Sequence, residues 1–414
     1  MSTEAMVTIE SQLKKTAMRP PTTDIELEWS KTAGIYEYGS AANPDMKPIP
    51  VLVHPPDLHE NGETRVIPFD INDFLEIEES CTSPNLMASF VRIKIGELLA
   101  TEANATSQAF YVIRGQGESV SEHGKISWST GDMFVVPVTN GAITHSCTDA
   151  EEFDGAALYW VHDEPLMTYL GVNPSNKKKF EPTLYRREQM LERVEEISHA
   201  ADRSNNRCGV LLGNTACSQT KTLTHVLWSL LNSIPGRSVQ RPHRHNSVAL
   251  DLAVAAKPGV YTLLGKEIDA QGLIIDPIRC DWVPGGVFIT PPGWWHSHHN
   301  ESDDVAWVLP IQDAGLYTHQ RTLDIRFVDD ELALHHEGKI RGSAFAVTNK
   351  QYMTLSELGG RVPNPKEGSG MKRVLSVENM KRVTSSKCLT VDGQTTRLHS
   401  TQVLSVIASP SKDE

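Results

Sequence analysis

A chain of 414 residues exceeds the usual size of one compact domain, so two domains with connecting or terminal segments are expected. With 39% hydrophobic and 22% charged residues, 28 Gly and 24 Pro, it reads as globular and turn-rich, which excludes a largely disordered chain. The net charge of -13 argues against a nucleic-acid groove or an anionic membrane surface as partner, and no run approaches the roughly 18 apolar residues of a membrane span.

The start, MSTEAMVTIESQLKK, lacks a basic segment followed by an apolar stretch, so a soluble, cytoplasmic protein is expected. Residues 1–80, rich in Pro and acidic residues with short apolar runs, read as an extended N-terminal arm around a domain or a partner subunit. From residue 81 to 170 the texture becomes short apolar or alternating runs (PNLMASFVRIKIG, SQAFYVIRGQG, GDMFVVPV, GAALYWV) between turn residues, as in an antiparallel β-sandwich or barrel.

Residues 171–221 are expected to link the domains. Leu184, Leu191, Val194 and Ile197 recur there at helical spacing amid charges. The β texture resumes over 222–313 (THVLWSLL, SVALDLAVA, GVYTLLG, GGVFITPP, DVAWVLPI), and residues 314–414 form an extension of open role. Six cysteines without a CxxC pair indicate neither a zinc ribbon nor a disulfide framework, and are expected as reduced, structural thiols.

The two β-rich stretches repeat one pattern: an apolar strand into Gly, then a Gly followed six residues on by Pro (GDMFVVP, GGVFITP), then a His. In the second copy His243 and His245 sit two apart, where strand periodicity sends both to one face, and His296 follows a Gly and Pro turn. Three imidazoles so placed make a facial metal site with open positions, suited to Fe, Zn, Cu or Ni. The plainer reading, ordinary surface or core histidines, competes less well, because six of the 16 histidines lie between His225 and His299.

Here the sequence resembles the cupin superfamily, whose motif G-x5-P-x-G-x2-H-x3-N is met by Gly285, Pro291, Gly293, His296 and Asn300. The companion motif G-x5-H-x-H-x(3,4)-E-x6-G is met in part: Gly236 stands one residue too far from His243, and Ala249 or Leu250 stands where Glu would be. Lacking that Glu, the chain resembles the gentisate, salicylate and hydroxynaphthoate ring-cleaving dioxygenases, over roughly residues 222–310. The resemblance implies an all-β protein of two double-stranded β-helix (jelly-roll) barrels, one Fe(II) per chain on His243, His245 and His296, O2 and a small hydroxylated aromatic as reactants, and a homo-oligomer. It further implies that Trp228, Asn232 and His298 line the substrate site, His298 as acid or base. The competing readings are core packing for Trp228 and a surface histidine for His298.

Where that family continues its HRH strand with Ala-Leu-Arg, this chain has Ala249, Leu250 and Asp251. On strand periodicity Asp251 shares a face with His245 and points into the pocket, where it would repel a carboxylate; the alternative is a structural Asp paired with Arg241 or Arg244. A metal-dependent cupin of another reaction class, acting on a non-aromatic or amine-bearing substrate, is the second functional reading. In the first repeat Glu102 and Asn104 fall where two His would stand, with Gln108 at the Glu position and His145 after Pro137. That leaves a scaffold barrel, or a weak site from Glu102, Gln108 and His145.

Overall fold

The computed structural model describes residues 31–42, 45–150, 153–198 and 208–328; the start of the arm and residues 329–414 lie outside the described residues. The chain divides into two units, Met1–Lys47 and Pro48–Glu414. The described part of the first holds a short 3-10 helix, Tyr38–Ala42, and exposes Ile35, Tyr36, Tyr38 and Met46.

The second unit holds both barrels. Its first strands are β1 (Val53–His54), β2 (Arg65–Pro68), β3 (Met87–Lys94), β4 (Leu98–Thr101), β5 (Ser107–Arg114), β6 (Gln116–Ser121), β7 (Gly124–Ser129), β8 (Met133–Pro137), β9 (Ile143–Asp149), β10 (Gly155–His162) and β11 (Thr183–Tyr185). After the helix Arg187–Ser198 come β12 (Cys208–Leu211), β13 (Trp228–Ile234), β14 (Ser238–His245), β15 (Ala249–Ala255), β16 (Val260–Gly265), β17 (Ile278–Asp281), β18 (Val287–Thr290), β19 (Trp295–Asn300) and β20 (Ala306–Gln312), then the helix Ala314–Gln320 and β21 (Ile325–Phe327). In the first barrel a sheet ordered β11-β8-β5-β10-β3-β2 faces one ordered β4-β9-β6-β7; in the second, β1-β18-β15-β20-β13-β12 faces β17-β16-β19-β14-β21.

The helix expected between the barrels therefore starts at Arg187, and Leu184 sits in strand β11. Residues 48–80, read as arm, supply β1 to the second barrel and β2 to the first, and the stretch after residue 313 supplies β21 to the second. Such short strands carry little periodicity, and their pairing is set by distant partners.

The two six-stranded sheets pack outer face to outer face. Ala88 and Phe90 of β3, Tyr159 and Val161 of β10, Leu250 and Leu252 of β15, and Leu309 and Ile311 of β20 all belong to one buried cluster. The alternate residues fill the barrel interiors: Val91, Ile93, Leu158 and Trp160 in the first, Ala253, Phe288 and Val308 in the second. Burial on both faces explains why GAALYWVH reads as a continuous apolar run, and every residue of β10 is buried. Truncating a residue such as Phe90 in this layer would cost about 3–5 kcal/mol.

His59 staples the barrels at one end. Its Nε2 lies 3.0 Å from the carbonyl of Gly285, in the second barrel. Arg114 of the first donates to His59 Nδ1 at 2.6 Å. The Nδ1 therefore accepts, leaving Nε2 as the N–H that donates to Gly285. Arg92, ion-paired with Asp154, donates to the His59 carbonyl at 3.2 Å.

Among the described residues no helix is long and apolar enough to cross a membrane. The cysteines Cys81, Cys147, Cys208, Cys217 and Cys280 are buried and unbridged.

Candidate metal centre and cavity

His243 and His245 end β14, and His296 lies opposite His243 across the β14–β19 ladder, beyond a register shift after Gln240. The turn that delivers His296 needs glycine: Gly293 has φ +77, a conformation that costs other residues a Cβ clash. Its N–H donates to the carbonyl of His245 at 2.7 Å, tying the two ligand-bearing segments together. Asn300, the last residue of the motif, donates to the carbonyls of Ile234 and Asp304, so its part is to hold the strand end.

One ring nitrogen each of His243, His245 and His296 lies within 4.8 Å of the others. Among the described residues this is the one cluster of three or more His, Cys, Asp or Glu side chains close enough to hold an ion. His245 Nδ1 meets the carbonyl of Ser247 at 2.9 Å, and His296 Nδ1 that of Trp294 at 3.1 Å. A carbonyl only accepts, so each Nδ1 carries the proton and each Nε2 keeps its lone pair, as metal-ligating imidazoles require. The donor set therefore fits one divalent transition metal.

The three rings open into a cavity of about 270 Å³. All seven residues singled out from the sequence line it: His243, His245, His296, His298, Trp228, Asn232 and Asp251. Asn232 is held by a reciprocal amide pair, its Nδ2 donating to Gln240 Oε1 at 2.9 Å and its Oδ1 accepting from Gln240 Nε2 at 3.2 Å. Trp228 is half-buried at the cavity wall, away from the packed core.

Asp251 reaches the cavity by a different route from the one periodicity suggested. His245 ends β14 of one sheet, whereas Asp251 lies on β15 of the facing sheet, and the chain crosses between them at Asn246–Val248. Leu250 and Leu252 point to the inter-barrel layer, so alternation turns Asp251 inward. The carboxyl is 5% exposed and accepts from Thr290 Oγ1 at 2.6 Å. It makes no ion pair among the described residues: Arg244 lies over the Trp295 ring, and Arg241 donates to the carbonyl of Gln271. Burial pushes its pKa up to about 7, which the Thr290 hydrogen bond partly offsets.

His298 Nδ1 lies 2.9 Å from Thr262 Oγ1, which also accepts from Trp282 Nε1 at 2.8 Å. The first barrel repeats this relay: His145 Nδ1 lies 2.7 Å from Ser119 Oγ, which accepts from Trp128 Nε1 at 2.9 Å. His145 pairs with Ser119 as His298 pairs with Thr262. The counterpart of His145 is therefore His298 rather than His296, which accounts for its long spacing from Pro137. In the first barrel the positions of His243 and His296 are taken by Thr101 and Ile143, paired across β4 and β9. His145 Nε2 is closed off by Thr101 Oγ1 at 2.8 Å, and Glu102 is exposed. Glu102, Gln108 and His145 do not converge.

Other cavity residues were not legible in sequence. Gln312 sits on β20, its Oε1 accepting from Ser247 Oγ at 2.7 Å. Ile325 and Phe327 come from β21, paired with His245 and His243 respectively. Only the Ile-Arg-Phe alternation hinted at that strand.

No protein-family model matches the sequence, and no curated protein sequence matches it. Solved structures do. Salicylate 1,2-dioxygenase from Pseudaminobacter salicylatoxidans aligns at 12% identity and TM-score 0.55, covering 75% of this chain and 100% of that one. Its gentisate adduct gives 12% identity and TM-score 0.55 over 75% of this chain and 96% of that one. A mutant of the same enzyme with gentisate gives 13% and 0.54, over 75% and 97%. At this identity the likeness shows the fold alone: two β-barrels in one chain.

Proposed function

We propose that the protein is a non-haem Fe(II), O2-dependent dioxygenase that cleaves the ring of a hydroxylated aromatic compound. The observation that carries this reading is the convergence of three imidazoles on one cavity, within a fold shared with a salicylate dioxygenase. When bound by His243, His245 and His296, Fe(II) supplies a Lewis-acidic, redox-active centre with positions open to substrate and O2.

The chain's own groups supply the rest. A cavity of about 270 Å³ exceeds the ~150 Å³ known to hold benzene, so it accepts a substituted single ring. Trp228 and Phe327 give it aromatic walls, and the Asn232–Gln240 pair fixes one polar edge. His298, held from behind by Thr262, takes or returns the proton of a substrate hydroxyl.

Elemental analysis of anaerobically purified protein, then oxygen uptake with gentisate, salicylate, catechols, aminophenols and hydroxynaphthoate after Fe(II) loading, tests the reading. Iron near one per chain with substrate-dependent uptake supports it. Stoichiometric zinc, nickel or manganese without uptake favours the second reading, a metal-dependent cupin of another reaction class, to which the acidic wall at Asp251 lends support.

A further inference from the structure

The charge lining the cavity has one sign. Among the described residues no Lys or Arg lines it, and apart from the four histidines its one ionisable wall residue is Asp251. The polar groups beside it are mostly committed. Both ends of the Asn232 amide are taken by Gln240, and the Gln312 carbonyl oxygen is taken by Ser247. Asp251 Oδ2 accepts from Thr290, whereas Oδ1 accepts nothing from the described residues. Asp251 lines the cavity, so a donor on the ligand can meet its remaining acceptor capacity.

The geometry points to a substrate that brings this donor: a phenolic ring bearing an amine, with Asp251 as the specificity-determining residue that pairs with the ammonium and rejects a carboxylate in its place. The inference rests on reading this cavity as the substrate site and deepens it by naming the substrate class. Apolar residues on the wall, Val308, Pro310 and Leu230 with Trp228, contact the ring, while the substituent reaches the acid. An ammonium beside Asp251 also offsets the desolvation that raises its carboxyl pKa, and so favours the ionised form. A carboxylate there would face like charge with no cation among the described wall residues.

The test uses three matched probes that share one catechol ring: 4-(2-aminoethyl)catechol, 4-ethylcatechol and 3,4-dihydroxyphenylacetate. Binding to the full chain loaded with Zn(II) is measured by calorimetry, and oxygen uptake is measured separately on the Fe(II)-loaded protein. The amine is expected to bind at least about tenfold tighter than the acid. Asp251→Asn is expected to bring that ratio near one, with metal content unchanged and a cooperative unfolding transition retained.

Equal or tighter binding of the acid by the unmodified protein overturns the inference, as does an unchanged ratio in Asp251→Asn. Loss of metal from that variant overturns it too, since Asp251 would then serve the metal. A preserved amine preference without oxygen uptake from any probe supports this inference while the dioxygenase reading falls. Uptake with the acid as the tightest binder does the reverse.

Discussion

His145 and His298 occupy the same register position in the two barrels, each with its Nδ1 against a hydroxyl that accepts from a tryptophan indole. The relay is thus a device of the duplicated fold, and it forms in a barrel without metal ligands. What differs is the outer nitrogen's setting: Thr101 closes off His145, whereas the His298 ring lines the cavity 5.8 Å from the ring of His296. His298→Ala is therefore expected to lower kcat by roughly 10²–10⁴ with metal content retained, the range for a lost acid–base group. An unchanged kcat with a raised KM would leave His298 as wall, as His145 is core.

His243→Ala removes one of three ligands. It is expected to abolish stoichiometric metal binding while the fold persists, as read by elemental analysis and circular dichroism. Added Fe(II) or Zn(II) should raise the unfolding temperature of the unmodified protein and not of the variant, because an ion that binds only the folded state stabilises it by mass action. Retained stoichiometric metal would sink the ligand assignment.

Phe327 stacks on His243 at 5.9 Å between ring centroids, and its strand pairs with the two ligand histidines. Phe327→Ala opens that wall. Losing an aromatic contact of about 1–2 kcal/mol raises KM roughly 5–30-fold with metal content unchanged. Loss of metal instead would mean that β21 holds the ligands in place.

The buried Asp251 sets a pH dependence in the metal-free protein. Its folded pKa of about 7 lies above the ordinary carboxyl value of 3.8, so the folded chain binds a proton that the unfolded chain releases. Stability from this group is complete below pH 4 and is lost as pH rises through 7. Asp251→Asn should match the unmodified protein at about pH 3.5 and exceed it at pH 8, by up to roughly 4 kcal/mol (about three pH units at about 1.4 kcal/mol each). Urea unfolding at the two pH values measures the difference, and a constant gap would contradict the shift.

His59 acts in the opposite sense. Burial first, then the Arg114 and Arg92 charges, hold its pKa down at about 4, against the help of its hydrogen bond to Gly285. The neutral ring's contribution is present above pH 6.5 and is lost as pH falls toward 4. His59→Leu strands an Arg114 N–H and the Gly285 carbonyl and is expected to cost about 2–4 kcal/mol at pH 7.5. That gap should narrow at pH 5 in urea unfolding, since only the unmodified protein pays for charging the ring. A gap that widens with acid would rule out the neutral staple.

The sequence by itself determined the duplicated β-barrels and the three metal-binding candidates. Strand alternation is local, the His-x-His pair shares a face on any strand, and Gly293 before His296 marks a turn only glycine enters easily. Tertiary structure decided the rest, because each remaining feature depends on partners far apart in the chain. Register across β9 and β6 placed His145 with His298. The crossing from β14 to β15 put Asp251 on the facing sheet, against Thr290 rather than an arginine. The return of β21 beside β14 built a wall from Ile325 and Phe327. Hydrogen-bond ladders between strands distant in sequence fix these positions, and no spacing within one segment encodes which strands will pair.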